Sequence, residues 1–156
     1  MTPQEVADHI EITQVLHRYF LCMDSWDFDL LDQVFEPGAR MRYDALGGVD
    51  STYPEMVQAF REFNPHFSFM QHMPGQLLID IDGDSARSTN TLRAIHVQTT
   101  HTGEENEWVV YGIYRDLLVR TDAGWRIRER RFKQTRTTGT LLPFDQVERY
   151  ENPPWL

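Results

Sequence analysis

Four stretches of the C-terminal half, residues 76–81, 86–99, 108–120 and 125–136, read as strands, and only short turn sequences separate them. Asp82-Gly83-Asp84, Thr102-Gly103-Glu104 and Asp122-Ala123-Gly124 are signals of the kind that close antiparallel hairpins. A chain committed to such a meander has few architectures open to it. Strands of about 12 residues or more exceed the usual length of about 5–6, and sheets built from them twist and curl.

The N-terminal half carries the helical period. Residues 3–24 read as a helix that starts at Pro3 after Thr2. Val6, Ile10, Leu16, Phe20 and Met23 mark its apolar side, and Glu11, Gln14 and Arg18 its polar side. A short second helix is predicted over 28–35, ended by Pro37-Gly38, and a short strand over 39–46, broken by Gly47-Gly48. Residues 53–63 read as a third helix with Met56, Val57, Phe60 and Phe63 on one side. Helices first and a meander afterwards predict an α+β domain spanning 1–156: a curved, mixed or antiparallel sheet wrapped by three N-terminal helices into a cone with one open mouth. The tail, 141–156, bears Pro and aromatic residues and suits a cover for that mouth or a subunit contact.

Composition narrows the partners. The net charge of −9 argues against a nucleic-acid or anionic-membrane binder. The one basic run, Arg126 to Arg136, alternates like a strand and reads as a solvated or interface face. Cys22 is the only cysteine, so no intrachain disulfide can form. The opening MTPQEVADHIEI lacks the basic and apolar regions of a secretory signal, and no apolar run reaches the roughly 18 residues of a membrane span. A cytoplasmic protein is the expectation. Aromatic residues make up 12% of the chain, enough to line a pocket for a flat apolar ligand or simply to fill a core.

A few residues stand out chemically. Asp24 ends the apolar rows of the first helix, where a carboxylate is costly unless it is paired or works as a cap. His72 sits among Phe69, Met70 and Met73, either as a satisfied core histidine or as a base. Paired with a carboxylate, an imidazole gains a fixed tautomer and greater basicity. Tyr43 on an alternating strand and Tyr19 one turn before Met23 are phenols able to polarise a carbonyl or a leaving hydroxyl, or to fill the core. His96 shares a strand face with Leu92 and Ala94. The six histidines show no HxH, HExxH or CxxC spacing, so no metal site is expected. No GxGxxG, GxxxxGK[ST] or GxSxG motif is present either.

The order Tyr19, Asp24, Tyr43, His72, His96 resembles the SnoaL-like family of the nuclear transport factor 2 (NTF2) superfold, over roughly residues 5–138. That family includes scytalone dehydratase, bile-acid 7α-dehydratase and hexachlorocyclohexane dehydrochlorinase. The resemblance implies elimination without a cofactor: His72 takes a proton from carbon, Asp24 holds His72, and Tyr19 and Tyr43 help the leaving group depart. It also implies a substrate-binding wall that includes Phe69, His96, Tyr111, Trp26 and Arg136. Strand parity counted from Trp125 and Ile127 instead points Arg131 inward.

The expected activity is therefore that of a lyase acting on a hydroxylated, apolar cyclic or aromatic small molecule, by dehydration or by loss of a small carbonyl fragment. A double-bond isomerase or polyketide-cyclase-like enzyme would use the same base. A binding module without chemistry, as in the small subunits of ring-hydroxylating dioxygenases, would need neither Asp24 nor His72. A homo-oligomer is expected through the outer face of the sheet, with a trimer favoured over a dimer.

Overall fold

A computed structural model describes residues 1–44 and 49–156. Its elements are helix α1 (Pro3–Ser25), strands β1 (Phe35–Tyr43) and β2 (Val49–Thr52), helix α2 (Tyr53–Phe63), and strands β3 (Phe69–Asp82), β4 (Ser85–Thr99), β5 (Glu105–Thr121) and β6 (Gly124–Gly139). Short 3₁₀ turns occupy Phe28–Gln33, Asn64–His66 and Phe144–Gln146. One six-stranded sheet runs in the order β2-β1-β6-β5-β4-β3, antiparallel except where β1 lies parallel to β6. The sheet is open, and the helices pack on its inner face.

Both helices begin on the same device. Thr2 and Glu5 cap α1 reciprocally, as Thr52 and Glu55 cap α2, and a proline occupies the first turn of each. The buried side of α1 is Asp8, Ile12, Val15, Leu16, Tyr19, Phe20, Cys22 and Met23. Val6 and Ile10, expected on that side, are 42% and 56% exposed. Asp8 takes the inward place because it is satisfied there. Arg120 donates to its two carboxylate oxygens at 2.7 Å each, and the Trp125 indole N–H donates at 3.1 Å.

Two prolines lie inside strands, Pro37 in a Pro-Gly pair expected to end a helix and Pro74 within β3. Pro37-Gly38 falls where the β1–β6 register slips between Phe35 and Arg40, so β1 starts earlier than expected and the preceding segment is a 3₁₀ turn rather than a helix. Pro74-Gly75 falls at a slip between Pro74 and Leu77 on edge strand β3. A bulge on an edge strand tolerates a missing N–H, and β3 therefore begins at Phe69 and carries His72. The expected break at Gly47-Gly48 lies outside the described residues. The short β2 has no counterpart among the sequence expectations. Among the described residues no helix is long and apolar enough to cross a membrane.

The Asp8 cluster ties the start of α1 to β5 and β6. Hydrogen bonds from Arg120, against the opposing effect of burial, hold the Asp8 carboxyl far below the usual carboxylate range. Because its folded-state pKa is depressed, the stability it contributes is fully present above the ordinary value of 3.8 and is lost as pH falls below it. Thermal unfolding followed between pH 2 and 7 should show Asp8→Asn melting well below the parent at pH 7, with the gap closing as pH drops under about 4. A gap independent of pH would mean that the carboxylate charge does not matter.

Candidate active site

Asp24 sits in the last turn of α1 and reaches across to the start of β3. One of its oxygens lies 2.6 Å from His72 Nδ1, and both accept the His72 backbone N–H at 3.0 Å. A carboxylate can only accept, so Nδ1 carries the hydrogen and Nε2 is left with its lone pair. The His72 side chain is 8% exposed and that of Asp24 23%. Asp24 also borders a surface groove beside Arg18 and Pro74. Phe20 stacks near the His72 ring, with centroids 6.3 Å apart.

His72 lines a mainly apolar cavity of about 190 Å³ between the helices and the inner sheet face. Met23, Met56, Phe60, Phe63, Met70 and Trp108 supply much of its wall. Tyr19, Tyr43 and Tyr114 meet at one end. The Tyr19 hydroxyl is 2.9 Å from that of Tyr43 and 3.4 Å from that of Tyr114. Burial, then proximity to Tyr19, raises Tyr43 and Tyr114 well above the ordinary phenol value, so both stay protonated and able to donate. Behind them lies the Arg130 guanidinium, 4.1 Å from the Tyr19 ring centre and 4.4 Å from that of Tyr114. Arg130 is bound to Asp116 by two hydrogen bonds of 2.8 and 2.7 Å, with both side chains fully buried. Burial works against its charge, but the Asp116 carboxylate outweighs that and keeps Arg130 protonated.

His96 also faces the cavity, with its ring 5.7 Å from that of His72. Its Nδ1 lies 3.3 Å from the Trp108 carbonyl oxygen, which can only accept, so this nitrogen donates. Burial first, and the neighbouring His72 second, push its pKa down to about 3. His96 is therefore neutral and offers an acceptor at Nε2.

Tyr19, Tyr43, His72 and His96 thus line one cavity, with Asp24 behind His72. The other four expected residues lie elsewhere. Trp26 and Phe69 pack against Trp155, each with ring centroids 5.6 Å apart, off the cavity wall. Tyr111 and Arg136 face each other on the outer side of the sheet. Tyr111 alternates with the inward Val110 and Gly112, and two bulges in β6 set the faces of its arginines. The first, at Arg128, reverses the parity counted from Trp125, so Arg130 turns inward and Arg131 outward. The second, at Thr135, leaves Gln134 on the cavity and Arg136 outside. Tyr114, Asn64, Gln134 and the Arg130–Asp116 pair are additions that sequence reasoning did not reach. Alternation along β5 through Val110, Gly112 and Tyr114 was the available signal for Tyr114.

The sequence matches the SnoaL-like domain family over residues 4–131, and the chain belongs to that family. It is 38% identical over 128 residues to an uncharacterised protein of Mycobacterium tuberculosis (strain ATCC 25618 / H37Rv), covering 81% of this chain and 84% of that protein. Among solved structures it is similar to a protein provisionally named scytalone dehydratase from Novosphingobium aromaticivorans, with a TM-score of 0.77 and 19% identity over 97% of this chain and 99% of the other. It is also similar to the hexachlorocyclohexane dehydrochlorinase LinA-type3 of Novosphingobium barchaimii, with a TM-score of 0.73 and 13% identity over 89% and 97% of the two chains. At these identities the likeness is one of fold, the NTF2-like α+β fold.

Arg130 and Asp116 depend on each other for satisfaction. Breaking a buried ion pair costs about 3–5 kcal/mol because a charge is left alone. Asp116→Ala should lower stability by that order in urea unfolding, and Arg130→Met/Asp116→Leu should recover most of the loss. Equal destabilisation by the single and double variants would show that packing, not charge pairing, dominates there.

Proposed function

We propose that this protein is a cofactor-independent lyase that eliminates water from a hydroxylated, largely apolar cyclic or aromatic molecule. The observation that carries this reading is the Asp24–His72 contact, which leaves the Nε2 lone pair of His72 as the free edge of an imidazole on the wall of a mainly apolar cavity. A passive binding module has no use for an oriented base at that place. The dehydratase and dehydrochlorinase names of two proteins of the same fold agree with it.

In the proposed reaction the carbonyl oxygen of a substrate that carries a hydroxyl on its β carbon accepts hydrogen bonds from the tyrosine hydroxyls. Arg130 behind them favours negative charge building on that oxygen. His72 Nε2 removes a proton from the adjacent carbon, and the C–H electron pair moves toward the oxygen. As the imidazolium forms, Asp24 stabilises it through Nδ1–H. The electron pair then returns from that oxygen, the C–O bond to the β-hydroxyl breaks, the imidazolium gives its proton to the departing hydroxide, water leaves and a C=C bond conjugated with the carbonyl remains. The His96 N–H is already engaged with the Trp108 carbonyl, so its part is to accept from a substrate hydroxyl. The apolar wall strengthens each of these contacts by excluding water.

The test is a turnover assay over a panel of hydroxylated cyclic ketones and phenols, with circular dichroism on every variant. His72→Ala should lower kcat by about 10²–10⁴ while remaining folded. Asp24→Asn should cost a similar factor by favouring the wrong tautomer. Tyr43→Phe should cost less, about 1–4 kcal/mol of barrier. Activity should persist in EDTA without added nucleotide. Folded His72→Ala with parental kcat would place the base elsewhere. A product of the substrate's own elemental composition, with its double bond shifted, would make the enzyme an isomerase instead.

A further inference from the structure

The dyad joins two element ends. Asp24 stands one residue before α1 stops at Ser25, and His72 lies three residues into β3. Element ends fray, yet a base has to be held closely to work. Besides the dyad, a buried link here is the Asn64 side-chain amide donating to the Met23 carbonyl at 3.2 Å.

The segment after β6 supplies more. It lies beyond residues 4–131, the span matched to the family. Its path is fixed by a reciprocal pair of hydrogen bonds between the buried Gln98 side chain and the Leu142 backbone, 2.8 and 3.2 Å long. A β-bridge joins Val147 to Thr100, and Tyr150 N–H donates to the Pro65 carbonyl at 2.8 Å. Trp155 then inserts its ring between Trp26 and Phe69, with centroids 5.6 Å from each. Trp26 is the left-handed cap of α1, two residues after Asp24, and Phe69 is the first residue of β3, three before His72. One side chain therefore touches both ends that carry the dyad.

We propose that Trp155 is a positioning residue that clamps the end of α1 to the start of β3 and so holds Asp24 in register with His72. It touches neither the cavity nor the dyad, so its effect passes through Trp26 and Phe69. The catalytic consequence rests on the reading of His72 as the base, but the geometric one does not. Misplacement of about 1 Å can cost on the order of 10²-fold in rate.

The experiment compares the full chain with Trp155→Ala, Trp155→Phe and Phe69→Leu. Two readouts are taken: solvent exchange of the His72 Nδ1 proton by NMR without substrate, and kcat and KM on whichever substrate the panel identifies. Trp155→Ala should speed that exchange at least tenfold and lower kcat by about 10–10²-fold, with KM changed less than twofold. Trp155→Phe should restore most of both, and Phe69→Leu should act like Trp155→Ala without adding to it. Parental exchange in a folded Trp155→Ala would overturn the clamp, as would an equal effect from Trp155→Phe. Should Trp155→Ala fail to fold, exchange in Phe69→Leu decides, a parental value overturning the proposal. Failure of the base assignment would appear separately, as a His72→Ala variant that still turns over.

Discussion

The contact between Asp24 and His72 is the interaction around which the site is organised. A carboxylate at the end of an apolar helix face is unfavourable unless something satisfies it. Here a backbone N–H and an imidazole N–H do so together, and both come from one residue of the neighbouring strand. The same pairing that makes the carboxylate tolerable fixes the tautomer of the histidine. Packing and chemistry therefore make the same demand, and α1 and β3 are held in the relation that the cavity needs.

The far end of the cavity follows a similar rule with higher stakes. Three phenols, an arginine and an aspartate are buried together beneath the helices. Each is affordable only because the others are present: the carboxylate keeps the guanidinium charged, and the guanidinium lies against two of the aromatic rings. Such a network is fragile to single deletions and tolerant of paired ones. It presents neutral hydroxyl donors backed by a fixed positive charge, facing a histidine that can only accept.

What was legible in the sequence was what local chemistry determines. Residues 53–63 read to the residue as a helix from the apolar side Met56, Val57, Phe60 and Phe63, and the structure adds the Thr52–Glu55 cap at its start. The meander was legible because its turns are short and carry glycine where a positive φ is needed, as at Gly83 and Gly124. Asp24 and His72 stood out as polar groups in apolar company. What stayed hidden depends on partners far along the chain. Asp8 carries no signal of its own because Arg120, which satisfies it, is 112 positions away. Arg130 is missed, with Arg136 expected from the resemblance and Arg131 from strand parity, because bulges reverse the faces of β6 and periodicity alone cannot locate a bulge. The aromatic tail reads as a cover for the cavity mouth or a subunit contact, but the two element ends that Trp155 touches are not legible from it.

The most direct test of the central claim needs no substrate. Heteronuclear NMR of the ¹⁵N-labelled imidazoles reports which ring nitrogen of His72 bears hydrogen in the pH range where the ring is uncharged. The account predicts that Nδ1 is protonated and Nε2 bare in the parent, and that Asp24→Asn shifts the ring toward the other tautomer. Protonation at Nε2 in the parent, or a spectrum indifferent to Asp24→Asn, would contradict it, because the histidine would then have no lone pair facing the cavity or would not owe its form to Asp24.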